Sequence, residues 1–430
     1  MDSIKTTLFI YWQVAVILAL SIYQSADTMK TLTHYNRLTL SICLCSIVTF
    51  FNIYWLQPLL PTLQQSFEIS LLAANLAMSA PLLGMGSGLL VFASVSDSVG
   101  RRAILLAGMI AGLCASLLLP MVENYSLFLT LRFIQGALLA ACPAVAIPLL
   151  GEELRKSWLP AAVGFYIASN TVGGISSRLI SGVCIDHLGN WQATGYVIGA
   201  ISASLFVVVF FILPKQRHFT AKKFKLKASL KAFSGHLQRP QLLLIYIIIG
   251  LAFACFVNLF SYLMVVLKGA PYELPSGLRS LMFVTFLGGT TSASLAGKFS
   301  KKHGQLAGIA TGIFIMLGAS FFLSNNNLPL MIVGMIMMAF GFFFCHTQAS
   351  TLVGRSVKKG KASAQALYSL FYYTGASVGV FFIDPFYQRW GWQGVITCTS
   401  IALVLCLGLI AIYHIKFSEH QKPITPLSLH

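Results

Sequence analysis

The chain has 430 residues, of which 57% are hydrophobic and only 9% charged, whereas a soluble globular domain carries roughly a quarter charged residues. That balance excludes an ordinary soluble enzyme or binding domain. The net charge of +18 does not point to nucleic acid either, because the cations sit in alternate loops beside helix ends. A bilayer core of about 30 Å takes ~20 apolar residues per helix, and backbone groups in hydrocarbon must pair within their own segment. The chain therefore reads as an all-α membrane protein.

In chain order, residues 1–37 form an N-terminal extension whose stretch from Thr7 to Tyr23 is apolar and about long enough to enter a bilayer. It makes a poor signal peptide and reads as an extension that the core does not require, with Met29 available as a second start. An additional spanning or surface helix is the alternative. Twelve spans follow, at 38–60, 71–94, 103–121, 127–149, 158–183, 193–213, 241–267, 277–297, 305–324, 328–352, 362–387 and 393–415. They divide into two six-helix bundles, 38–213 and 241–415, joined by a basic linker at 214–240 and closed by a tail at 416–430.

The linker holds eight Lys or Arg between Lys215 and Arg239 and no acid, which suits a topology anchor and also an anionic-lipid contact. Arg101, Arg102, Arg155, Lys156, Lys298, Lys301, Lys302, Arg355, Lys358, Lys359 and Lys361 fall in loops on the same side as this linker. The opposite loops hold little beyond Lys268, Arg279 and Arg389. Positive loops stay inside, so both termini of the twelve-helix core are expected in the cytoplasm. The nine cysteines lie mostly within apolar runs without ligand-type spacing, and neither a metal nor a cofactor is expected.

The halves echo each other. Gly100 corresponds to Gly304, Arg155-Lys156 to Lys358-Lys359, and Trp191-Gln192 to Trp392-Gln393, all at an offset of just over two hundred residues. A duplicated unit in parallel orientation places a substrate site between the halves near the bilayer midplane.

The loop Ala93-Ser94-Val95-Ser96-Asp97-Ser98-Val99-Gly100-Arg101-Arg102, and the triplet Arg132, Gln135 and Gly136 in the fourth span, resemble the signatures of the major facilitator superfamily. The loop departs from the pattern only in having Ala93 for its first glycine. Phe165 to Gly174 is similar to the family's antiporter signature, with Ser169-Asn170 where Gly-Pro is expected and Gly173-Gly174 retained. The stretches Tyr166 to Val183, Leu213 to Phe219 and Leu367 to Gly375 resemble YnfM-type efflux permeases of the drug:proton antiporter branch. The resemblance implies a cytoplasmic gate at Asp97, Gly100, Arg101 and Arg102, the aspartate pairing with its own loop and with the start of the eleventh helix near Ala362. The plain physical reading of the same residues is a helix cap with topology charges.

A charge at membrane depth is costly and marks a functional candidate. Arg132 with Gln135, Arg178, and His346, whose imidazole can exchange a proton near neutral pH, are the candidates for substrate binding or proton coupling. Arg178 could equally reach the outer interface or pair with Asp186. Tyr54, Gln57, Asn170, Asn258, Tyr262, Gln348, Tyr368, Tyr372 and Tyr373 could line a central cavity or bridge helices. No Asp or Glu falls in the middle of a span. Buried arginines without embedded acids favour an anionic or polyhydroxylated small substrate.

The expectation is a monomeric secondary transporter of a bacterial inner membrane, not an enzyme, working by alternating access with proton-coupled efflux. Proton-coupled import of a nutrient or metal-chelate and a non-transporting membrane receptor are the alternatives.

Overall fold

The apolar runs are helices in the computed structural model, which describes residues 34–219, 233–357 and 360–417, and no strand occurs among the described residues. Side chains at the helix starts explain several boundaries. Ser70, Asn124, Asn190 and Asn327 each accept a hydrogen bond from the backbone N–H three residues on, satisfying a donor that the first turn leaves orphaned.

The helices are α1 (His34–Tyr54), α2 (Leu60–Ser66), α3 (Leu71–Val99), α4 (Arg101–Leu118), α5 (Tyr125–Leu139), α6 (Ala141–Glu153), α7 (Leu159–Leu188) and α8 (Trp191–Ile212). They continue with α9 (Pro240–Val266), α10 (Ser276–Ser280), α11 (Leu287–His303), α12 (Gln305–Leu323), α13 (Leu328–Ser356) and α14 (Lys361–Phe417). Nine helical stretches among the described residues are long and apolar enough to cross a bilayer. Three further spans have local causes. Helix α7 is serine- and glycine-rich and carries Arg178; α10 and α11 are separated by a six-residue 3-10 helix at Leu281–Phe286; and α14 is two helices joined at Gly391, whose φ of 58° breaks the ladder. The result is a twelve-span, all-helical fold.

The chain groups into two units, one of Met1–Leu226 with Phe260–Val284 and one of Lys227–Leu259 with Thr285–His430. Sequence alone places the division at the 214–240 linker. The N-terminal extension up to residue 33, the linker residues 220–232, Lys358-Lys359 and the tail from 418 lie outside the described residues.

Within each unit the same devices recur at the same offset. Gly100 (φ 108°) and Gly304 (φ 83°) occupy the left-handed region between consecutive helices, which glycine adopts without the steric cost of a side chain. Asn124 and Asn327 cap corresponding helices. Backbones meet at corresponding glycines: a Cβ on Gly173 would lie 2.6 Å from the Ile47 carbonyl oxygen, and one on Gly375 would lie 2.2 Å from that of Gly250.

Candidate functional site

The charged loop before α4 is a hub inside the first unit. Arg101 reaches Asp97 at 2.9 Å and Glu152 at 2.7 Å, and its NH1 donates to Ser96 Oγ at 3.3 Å. The Gln216 amide donates to the other Glu152 oxygen at 3.0 Å, and Arg102 Nε donates to the Pro214 carbonyl at 3.1 Å. Beside them the buried Glu153 carboxylate accepts from the backbone N–H of Arg217 at 2.7 Å and of His218 at 2.9 Å. The His34 and His218 rings stand 3.5 Å from its other oxygen. The hub thus joins the α3–α4 turn, the end of α6 and the stretch leaving α8. Sequence reasoning selected Asp97, Gly100, Arg101 and Arg102 and passed over Glu152 and Glu153. The signal for them was two adjacent acids at the end of an apolar run, in a chain with only eleven.

Arg132 is fully buried and makes four hydrogen bonds. Nε donates to the Ala77 carbonyl at 3.1 Å, NH1 to the Asn52 carbonyl at 3.0 Å and to Gln135 Oε1, and NH2 to the Ile53 carbonyl at 2.8 Å. Gln135 in turn donates to Ser116 Oγ at 2.6 Å. Expected as a substrate or proton residue, Arg132 stands here as a fork joining α5 to the backbones of α1 and α3. Asn258 donates to the Ala254 and Ala376 carbonyls, Gln348 to the Ala296 carbonyl, and Asn170 pairs with Ser46. These three bridge helices, one of the two roles open to them from sequence.

Arg178 has different surroundings. Its guanidinium lies over the Tyr54 ring at 4.0 Å and the Phe283 ring at 4.6 Å. Its Nε donates to Gln57 Oε1 at 2.7 Å and its NH1 to the Gly174 carbonyl at 2.6 Å. Gln57 donates onward to Ser261 Oγ at 3.0 Å. Three of the predicted residues, Tyr54, Gln57 and Arg178, therefore converge, with Ser261 and Phe283 as partners the sequence did not single out. Tyr262 is fully buried in the same unit.

Asp186, considered from sequence as a partner for Arg178, instead accepts from the backbone N–H of Ser276 at 2.9 Å and of Gly277 at 2.7 Å. Next to it α7 and α10 touch closely, since a Cβ on Gly182 would lie 1.9 Å from Ser280 Oγ. In the loop between α9 and α10, burial and then the Arg279 charge hold the Lys268 ammonium below its usual pKa.

In the second unit His346, Tyr372 and Tyr373 come together in an aromatic cluster. The Tyr368 hydroxyl lies 2.8 Å from His346 Nδ1, and the imidazole ring is 5.1 Å from the Tyr372 ring and 5.9 Å from the Phe342 ring. Tyr372 stacks on Phe253 at 3.7 Å and Phe342 on Phe256 at 4.3 Å. The phenylalanines could not be told from ordinary lipid-facing apolar residues in the sequence. Among the described residues no group of His, Cys, Asp or Glu could hold a metal ion.

Residues 42–380 of the chain match the family model described as Major Facilitator Superfamily. The chain belongs to the major facilitator superfamily. It is similar to the uncharacterized MFS-type transporter YybF of Bacillus subtilis (strain 168), at 33% identity over 87% of this chain and 93% of that protein. It is also similar to the inner membrane transport protein YnfM of Escherichia coli (strain K12), at 29% identity over 87% and 89% of the two chains. Its fold is that of the nucleoside transporter NupG, with a TM-score of 0.66, 15% identity and coverage of 90% of this chain and 100% of that one. A bacterial homolog of the human lysosomal transporter Spinster in an inward-facing, unoccupied conformation gives a TM-score of 0.67 at 14% identity, covering 90% and 97%. As a member of the superfamily this chain is a multi-pass membrane transporter of a small molecule.

Proposed function

We propose that this superfamily member exports a small anionic organic solute across a bacterial inner membrane by alternating access, driven by inward proton movement. The observation that carries the reading is the Arg178 box. A guanidinium held between two aromatic faces, with its Nε on a carboxamide oxygen, is preorganised for a planar anion, because a carboxylate can take the place of the Gln57 oxygen and bind more strongly. The lack of mid-span carboxylates supports an anion over a lipophilic cation, since no fixed negative charge is placed at that depth to receive one.

Proton exchange falls to the His346–Tyr368 pair, and Arg132 holds helices in place. The Asp186 contact holds the start of α10 against the end of α7, and the Asp97–Arg101–Glu152 hub holds the other end of the unit. The cation-rich loops face the cytoplasm, as does the hub, and the name of the relative YnfM supports the inner membrane. The carrier works as a monomer.

The test is counterflow and gradient-driven transport in proteoliposomes, screened over organic anions, sugars and lipophilic cations. The proposal expects an anion to be carried, Arg178→Ala to abolish its binding, and His346→Gln to abolish uptake driven by a pH gradient while leaving counterflow intact. Tight binding of lipophilic cations that survives Arg178→Ala would defeat it.

A further inference from the structure

Apart from the Arg178 box, the second unit carries a groove of 470 Å³ where α11, α12 and α13 meet. Its floor is apolar, formed by Leu295, Phe299, Ile315, Phe340 and Phe344. Two cations, Lys298 and Lys302, stand at one end beside the His303 ring, all exposed. Leu295, Lys298 and Lys302 are spaced by three and four residues, so they share one face of α11. The distance from Leu295 to Lys302 is about 10 Å along the helix at ~1.5 Å per residue. Phe299 packs edge-on against Phe344 at 5.4 Å and sits 4.7 Å from the His303 ring.

Acids are scarce in the second unit. No Asp or Glu occurs between Glu273 and Asp384, and the second unit holds two acids, Asp384 and Glu419, against thirteen Lys and Arg. Among the described residues neither Lys298 nor Lys302 forms an ion pair. Cations in the last turn of a helix complement its dipole, and Lys301 suffices for that. Lys298, a full turn earlier and directly above the apolar floor, is not accounted for in this way. The positive-inside pattern puts this end of α11 at the cytoplasmic leaflet, where anionic lipids lie.

We propose that the groove is a binding site for one anionic glycerophospholipid, its phosphate held between Lys298 and Lys302 and an acyl chain lying along Leu295, Phe299 and Phe344. Charge complementarity selects the headgroup, and the length of the apolar floor below the lysines selects a lipid over a free anion. The site is separate from the proposed transport chemistry, and its test uses no transport substrate.

The experiment is native mass spectrometry of the full chain released from nanodiscs containing equal amounts of phosphatidylglycerol and phosphatidylcholine. With each lysine worth about fivefold in anionic-lipid affinity, the pair Lys298→Gln and Lys302→Gln should lower retained phosphatidylglycerol by about 30-fold. The pair Lys301→Gln and Arg355→Gln, an equal loss of charge outside the groove, should change it by less than about twofold on the same scale. Equal losses in the two pairs, equal retention of both lipids, or displacement by inorganic phosphate would overturn the proposal. Should the first pair fail to fold, Phe299→Trp in otherwise native protein provides a second reading. Brominated phosphatidylglycerol should quench the added fluorescence and brominated phosphatidylcholine should not, and equal quenching would refute the site.

Discussion

Replacing Arg132 by lysine separates two roles that a buried arginine can play in a transporter. The guanidinium makes four hydrogen bonds, to the backbone of α1 at Asn52 and Ile53, to α3 at Ala77 and to Gln135. An ammonium is a single donor atom and cannot span two helices as the fork does, so about two contacts are lost. At ~1.5–3 kcal/mol for a hydrogen bond to a charged group, the loss would reach about 3–6 kcal/mol. Hydrogen bonds measured inside a membrane protein average only about 0.6 kcal/mol, which sets a lower bound near 1 kcal/mol. The lower part of this range is the better guide, because the unfolded helices in a bilayer also find partners. For a unit of this size each kcal/mol corresponds to roughly 2–4 °C in the unfolding midpoint. The assay pairs thermal unfolding in detergent with substrate affinity by counterflow. Arg132→Lys should unfold several degrees lower, while protein that remains folded keeps its substrate affinity. A variant with unchanged midpoint and lost affinity would refute the helix-joining role and make Arg132 a substrate ligand.

Asp186→Asn keeps one of the two oxygens that accept from Ser276 and Gly277, and Asp186→Ala keeps neither. Labelling of a cysteine introduced at Leu278 by a membrane-impermeant reagent should therefore rise from the native protein to Asn to Ala. Glu153→Ala removes the acceptor for two backbone N–H groups, and trypsin should then cut at Arg217 faster than in the native chain, whereas Glu68→Ala should leave the rate unchanged. Gly375→Val puts a branched side chain against the Gly250 carbonyl oxygen, where even a Cβ would be 2.2 Å away. The overpacking should cost at least ~1–3 kcal/mol, read as a lower unfolding midpoint, while valine at Gly408, whose Cβ would meet nothing within 4 Å, should be tolerated.

Much of the fold was legible because lipid imposes simple conditions on a chain. Span length, loop charge and turn glycines are local quantities, and they located the helices, the duplication around Gly100 and Gly304, and the family. Helix α14 follows that reading: the two spans expected at 362–387 and 393–415 meet at Gly391, where a φ of 58° separates two helices without a long loop. Candidate site residues were legible only as a list of polar side chains at membrane depth. Polar groups in spans either bridge helices or face a ligand, and nothing in a sequence window separates the two.

The order of residues was enough to show an all-helical chain of twelve spans with recurring landmarks in its two halves, and its place in one superfamily of carriers, because burial in hydrocarbon is decided residue by residue along the helix axis. It took the packed helices to show that Arg132 is occupied by carbonyl oxygens while Arg178 lies between Tyr54 and Phe283, that Glu152 and Glu153 tie the charged loop to the stretch after α8, and that Lys298 and Lys302 overlook an apolar groove. The physical reason is that a guanidinium's role depends on which oxygens and rings lie within about 3–6 Å of it. In a bundle those neighbours come from helices far apart in the chain.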